Sequence, residues 1–220
     1  MSARDDDKAA AAELAVAELR DGMIVGLGTG STATFAVRAI GRRVSEGLRI
    51  TGIATSERTE ALARELGIPL TTLGEDTVID VTIDGADEVE RQSLALIKGH
   101  GGALLREKIV ASASRRLVIV IDPSKWVDRL GTRFAVPVEV VPFGWPTTAA
   151  RLRRLGATPE LRRDADRPYI TDGGHYILDC RFPGIPDPAA LGQKLDGVVG
   201  VVEHGLFVGL ASRVVEATPP

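Results

Sequence analysis

Apolar residues along this chain fall into short, well-spaced runs, and glycine marks where many of them stop. Positions 23–27, 50–54, 78–83 and 117–121 are strand-length runs, most of them rich in β-branched residues. Between them, positions 9–19, 33–46, 57–66 and 104–113 carry the spacing of helices. The first is preceded by Asp5, Asp6 and Asp7, whose charges suit a helix N-terminus, and Gly22 and Gly67 stand where helices end. Strands alternating with helices predict an α/β fold, a Rossmann-like and mostly parallel sheet covered on both faces. After about Gly131 the rhythm changes. Strand-like runs at 136–141, 176–182 and 198–202, helices at 147–155 and 189–195, and a pairing run at 158–162 predict a small α+β, ferredoxin-like unit. The expected organisation is an α/β catalytic domain of residues 1–131 plus 206–220, with residues 132–205 inserted as a lid domain.

Composition narrows the class. A chain of 220 residues with 44% hydrophobic and 26% charged residues can bury a full core. Its net charge of -3 favours neither nucleic acid nor a membrane surface, and no apolar run has the length of a membrane span. The arginines at 151, 153, 154, 162, 163 and 167 are interleaved with Glu160, Asp164 and Asp166 and lack an aromatic platform, so they read as a solvated face. One cysteine, Cys180, makes no intrachain disulfide, and the expected location is the cytoplasm.

The candidate chemistry lies at strand ends. Gly28-Thr29-Gly30-Ser31-Thr32 joins a strand to a helix, where backbone N–H groups and hydroxyls converge on an anion, most naturally a phosphate. A nicotinamide site would want an acidic residue closing the second strand, where Ala54-Thr55-Ser56 stands instead; a purely structural turn is the bland alternative. Asp84 and Asp87 read equally as a catalytic pair, a divalent-metal site or an aspartate-capped turn. Lys98-Gly99-His100-Gly101-Gly102 suits close backbone approach to a ligand, since glycine packs nothing and costs entropy. Glu107 falls in the first turns of a helix, as a base or as an ordinary exposed glutamate. His175 and His204 read as surface or packing residues.

Taken together, Gly-Thr-Gly-Ser-Thr at 28–32, Asp-Gly-Ala-Asp-Glu at 84–88, Lys98-Gly with Arg-Glu-Lys at 106–108, the segment 122–125 and Pro137-Val-Glu-Val resemble the A-type ribose-5-phosphate isomerases along nearly the whole chain. The resemblance implies interconversion of ribose 5-phosphate and ribulose 5-phosphate in the non-oxidative pentose phosphate pathway, without metal or organic cofactor, by a homodimer or tetramer. It implies Glu107 as catalytic base with Asp84, Asp87 and Lys98 in the catalytic group. Thr29, Gly30, Ser31, Thr32, Asp84, Gly85, Ala86, Asp87, Lys98, Gly99, His100, Gly101 and Lys125 match the substrate-binding segments. His100 departs from the Lys-Gly-Gly-Gly common in that family and is expected at the rim of the site, pointing away from the sugar. Two rival readings share the fold: a sugar-phosphate sensor, and an amino-sugar-phosphate deaminase or lactonase.

Overall fold

The computed structural model describes residues 3–216 and divides the chain into two compact units. The first comprises the described parts of 1–86, 106–125 and 210–220. Its centre is a five-stranded sheet in the order Ala211–Glu216, Leu117–Ile121, Val81–Gly85, Ile24–Leu27, Thr51–Ala54, and every pairing is parallel. Leu117–Ile121 is buried along all five residues, as expected of a strand covered on both faces. On one face Val25, Leu27, Ile83, Val118 and Val120 pack with Ala11, Ala12, Ala15 and Val16 of the helix Ala3–Val16 and with Val37 and Ile40 of the helix Ser31–Ser45. The other carries a smaller cluster of Ile53, Ile79 and Val110.

The strand order places a switch in connection direction between Ile24–Leu27 and Val81–Gly85. From the first of these the chain steps outward to Thr51–Ala54; from the second it steps the other way, to Leu117–Ile121 and then Ala211–Glu216. In such sheets the crevice at the C-terminal ends of these two strands is the place for a ligand. The turns there open with Gly28 and Ala86, the second of them a predicted site residue.

The second unit comprises residues 87–105 and 126–209, which is more than the inserted 132–205 read from the sequence. Its antiparallel sheet runs Val201–His204, Val136–Val140, Tyr176–Arg181, Thr158–Leu161, and with the helices Trp145–Arg154 and Pro188–Asp196 it has the expected ferredoxin-like order. The additional residues belong to a second small sheet of Leu206–Phe207, Leu96–Ile97, Glu88–Glu90 and Trp126–Val127. Strands of two or three residues are too short to show a period, so no sequence pattern announces them. Cys180 is wholly buried, and burial, with Asp179 beside it, pushes its thiol up to about 12, which leaves it unreactive.

Glu88 is the hinge pin of this second sheet. Its carboxylate is wholly buried and accepts the backbone N–H groups of Arg133 (2.6 Å), Phe134 (2.8 Å) and Gly131 (2.6 Å). Three donors saturate a buried carboxylate that would otherwise be costly. In Glu88→Gln one oxygen becomes an NH2 group facing an N–H donor, and unfolding in denaturant should show a loss of about 2–3 kcal/mol. A loss below about 0.5 kcal/mol, the ordinary surface value, would mean that the loop 131–134 is held by something else.

Candidate active site

In the first unit the site is built from three loops at one end of the sheet. Residues 28–30 follow Ile24–Leu27, Ala86 follows Val81–Gly85, and residues 122–125 follow Leu117–Ile121; the three strands are parallel neighbours. Asp84, 1% exposed, ties the first two together. Its Oδ1 accepts the N–H of Thr29 at 3.0 Å and of Gly85 at 2.7 Å. Gly28 is required at this crossing, because a Cβ there would lie 2.2 Å from the same oxygen. Gly30, at φ +112°, then turns the chain into the helix Ser31–Ser45.

Thr29, expected among the substrate contacts, is directed inward by both of its polar groups. Its N–H goes to Asp84, and its hydroxyl lies 2.7 Å from Thr55 Oγ1, 2.7 Å from Ser56 Oγ and 3.0 Å from Thr59 Oγ1. A hydroxyl has one proton and two lone pairs, so three partners use it fully. What the loop presents is therefore Gly30, Ser31 and Thr32. No side chain caps this helix among the described residues, and the leading N–H groups of an α-helix have no partner within it. N–H groups so placed, with the helix dipole behind them, suit a negatively charged group. Lys8, which sequence reasoning passed over, donates its Nζ to Ser31 Oγ at 3.3 Å. In the sequence it is one cation ahead of an alanine run, and nothing local tied it to a loop 23 residues away.

Glu107 occupies the first turn of the helix Leu104–Ser112 and is 3% exposed, so it is not the exposed helical glutamate of the bland reading. Asp122 is buried and accepts the backbone N–H of Ser124 at 3.1 Å as well as its hydroxyl, shaping the turn that holds the half-buried Lys125. Gly85 ends its strand buried and Ala86 is half-buried.

The second unit carries the remaining residues. Lys98 is 2% exposed, donates its N–H to the carbonyl of Gly205 at 2.9 Å, and sets Nζ 5.5 Å from the centre of the Phe207 ring. Gly99 (φ +104°) is buried and Gly101 is exposed, and Gly102 (φ +83°) faces Tyr169 so closely that a Cβ would lie 2.1 Å from its hydroxyl. Arg162, ion-paired with Asp179 at 2.5 Å, donates to the carbonyls of Gly99 (3.0 Å) and His100 (3.1 Å), bracing the loop from outside. Asp87 receives His100, through both its backbone N–H and its ring. Burial alone would raise the Asp87 carboxyl and is the largest influence on it. The ring, charge and backbone N–H of His100, with the charge of Lys98, outweigh burial and hold the carboxyl below its usual range.

One further grouping has the composition of a metal centre. Asp196, Glu203 and His204 bring ligand atoms within 4.8 Å of one another. His204 Nδ1, however, accepts the N–H of Leu206 at 3.2 Å, and Nε2 faces Asp196 Oδ1 at 3.2 Å. The neutral ring has one lone pair, already used, so Nε2 carries the proton and offers nothing to a cation.

Residues 51–219 match the sequence model of the family described as ribose 5-phosphate isomerase A (phosphoriboisomerase A). A ribose-5-phosphate isomerase A of Synechococcus sp. (strain JA-3-3Ab) is 57% identical, with 100% of this chain and 96% of that protein aligned. One from Gloeobacter violaceus is 58% identical over 96% of this chain and 91% of that protein. The structure of ribose 5-phosphate isomerase A from Methanocaldococcus jannaschii superposes with a TM-score of 0.92 at 39% identity, covering 98% of each chain. A D-ribose-5-phosphate isomerase in complex with phospho-erythronic acid gives 0.93 at 37% identity, covering 97% of this chain and 94% of that one. With relatives this similar along its whole length, the chain belongs to the ribose-5-phosphate isomerase A family and is an isomerase of ribose 5-phosphate and ribulose 5-phosphate.

Proposed function

We propose that Glu107 is the base that moves the carbon-bound proton in this isomerisation. The observation that carries the assignment is a carboxylate 3% exposed at the N-terminal turn of a helix, one turn past a glycine-rich lysine loop. In the open-chain aldose, Glu107 takes the proton from C2, leaving an enediolate, and returns it to C1 to give the ketose. The hydroxyl proton of O2 leaves as O1 gains one, so the reaction needs no external oxidant. Asp84 and Asp87 exchange hydroxyl protons during ring opening, and Lys98 with the N–H groups of Gly99 and Gly101 stabilises the developing oxyanion.

Gly30, Ser31, Thr32 and Lys8 hold the phosphate, with Gly85, Ala86 and Lys125 completing the substrate contacts, and this grip orients the reacting end. Thr29 acts by shaping the loop. A related isomerase has been solved in complex with phospho-erythronic acid. That ligand combines a phosphate with a planar carboxylate, the shape of an enediolate. We further propose that the protein works in the cytoplasm as a homodimer or tetramer, binds no nucleic acid or membrane, and takes no metal. Among the described residues no helix is long and apolar enough to cross a membrane.

Three outcomes test these assignments. Glu107→Gln keeps shape and removes the proton acceptor, so turnover should fall by roughly 10²–10⁴-fold, with substrate affinity little changed. Exchange of the substrate's carbon-bound proton with solvent, followed by NMR, should fall in parallel; a fully active variant would end the assignment and return the role to an aspartate. Lys8→Met removes one charged phosphate contact, and KM for ribose 5-phosphate should rise by about 10- to 100-fold while kcat holds. An unchanged KM would place the phosphate elsewhere. In a coupled assay with ribose 5-phosphate, activity should persist in excess chelator; loss restored by magnesium or zinc would recast Asp84 and Asp87 as ligands.

A further inference from the structure

His100 interrupts a run of glycines, and its imidazole has specific work there. Two donors of this one residue converge on one oxygen. The backbone N–H reaches Asp87 Oδ2 at 3.1 Å, and ring Nδ1 lies 3.2 Å from the same atom. The ring is fixed from its other side by Phe134, edge to face, with centroids 4.8 Å apart and planes inclined at 78°. Phe134 is itself anchored by its N–H to the buried Glu88, and Arg162 grips the carbonyl of His100. A side chain that merely tolerated its position would not be held by an aromatic neighbour and aimed at a carboxylate. Both partners are sheltered: 32% of the His100 side chain and 22% of that of Asp87 are exposed.

We propose that His100 is a positioning residue for the isomerisation: its ring holds the Asp87 carboxylate in one orientation, ionised and ready to accept a sugar hydroxyl proton. The proposal rests on the reading of Asp87 as a group that exchanges hydroxyl protons. It differs from the sequence expectation of a bystander at the rim, which took no account of Asp87 as a partner. The titratable groups that act on Asp87 are His100 and Lys98, and burial opposes both. The sign follows. A carboxyl held low is a working base down to an acid limit; removing the ring lets burial prevail, so that limit moves to higher pH. His100→Gly keeps the backbone donor and deletes only the ring's share.

The test compares wild type, His100→Gly and His100→Asn in kcat and kcat/KM across the acid range, with the Asp87 carboxyl followed directly by 13C NMR titration. In His100→Gly the acid limb and the Asp87 titration should both rise by roughly one pH unit, the scale of a neighbouring charge lost. Turnover well above the limb should stay within about tenfold, short of the loss on removing a general base. His100→Asn places an amide N–H near the Nδ1 position without its charge, so it should return the limb part of the way; it also serves if the glycine variant folds poorly. An Asp87 titration unchanged in both variants overturns the proposal. A titration that moves while the rate profile does not also overturns it, since Asp87 would then be coupled to His100 without bearing on the reaction. Inactive wild-type protein would instead overturn the function on which the proposal rests.

Discussion

The site depends on how closely two parallel strands are allowed to approach. Where Ile24–Leu27 ends beside Val81–Gly85, the Asp84 carboxylate sits against the bare backbone of Gly28 and receives the N–H of Thr29. That one oxygen fixes the start of the phosphate loop, and through Gly85 it fixes the exit of its own strand. The remainder of the anion site follows from there. Thr29 is pulled inward, its hydroxyl closes against Thr55, Ser56 and Thr59, and the chain must turn at Gly30 to enter the next helix. A side chain at Gly28 would separate the strands, and the loop would lose its template.

Buried carboxylates recur as architectural devices in both units. Asp84 organises a loop in the first; Glu88 and Glu139 do so in the second, the latter accepting Thr171 Oγ1 at 2.8 Å and His175 Nδ1 at 2.9 Å. Each lies on a strand and gives several donors one buried acceptor. This use of acid differs from proton transfer, although one carboxylate can serve both, as proposed for Asp84. Asp-Gly-Ala-Asp-Glu contains both kinds: Glu88 is wholly structural, while Asp87 remains partly accessible.

Much of the fold was legible because its central strands are buried and many of its turns carry glycine. The apolar runs at 23–27, 78–83 and 117–121 announced a parallel sheet, and the change of rhythm after Gly131 announced a second architecture. The small sheet of residues 88–90, 96–97, 126–127 and 206–207 was not legible, because pairs and triplets of residues acquire strand character only from distant partners. At the site, residue types and loop positions could be read, but directions could not. Thr29 looked like a phosphate ligand because hydroxyls beside glycines usually are; its inward turn is set by Ser56 and Thr59, on a different strand–helix junction. His175 and His204 were read as surface or packing residues, and their ring nitrogens are indeed used within the fold.

The alanines of the first helix set how Lys8 meets the loop at Ser31. Lys8, Ala11, Ala12 and Ala15 fall on one stripe of Ala3–Val16, and the three alanines are at most 2% exposed in the core shared with the helix Ser31–Ser45. Methyl-sized contacts let the helix lie low, and the height at which it lies decides whether an ammonium group can span to Ser31. The reach of Lys8 is thus measured out in side-chain volume along a seam that no substrate touches. A change in the bulk of that seam would alter the contact between Lys8 and Ser31 while every residue of the loop stays the same.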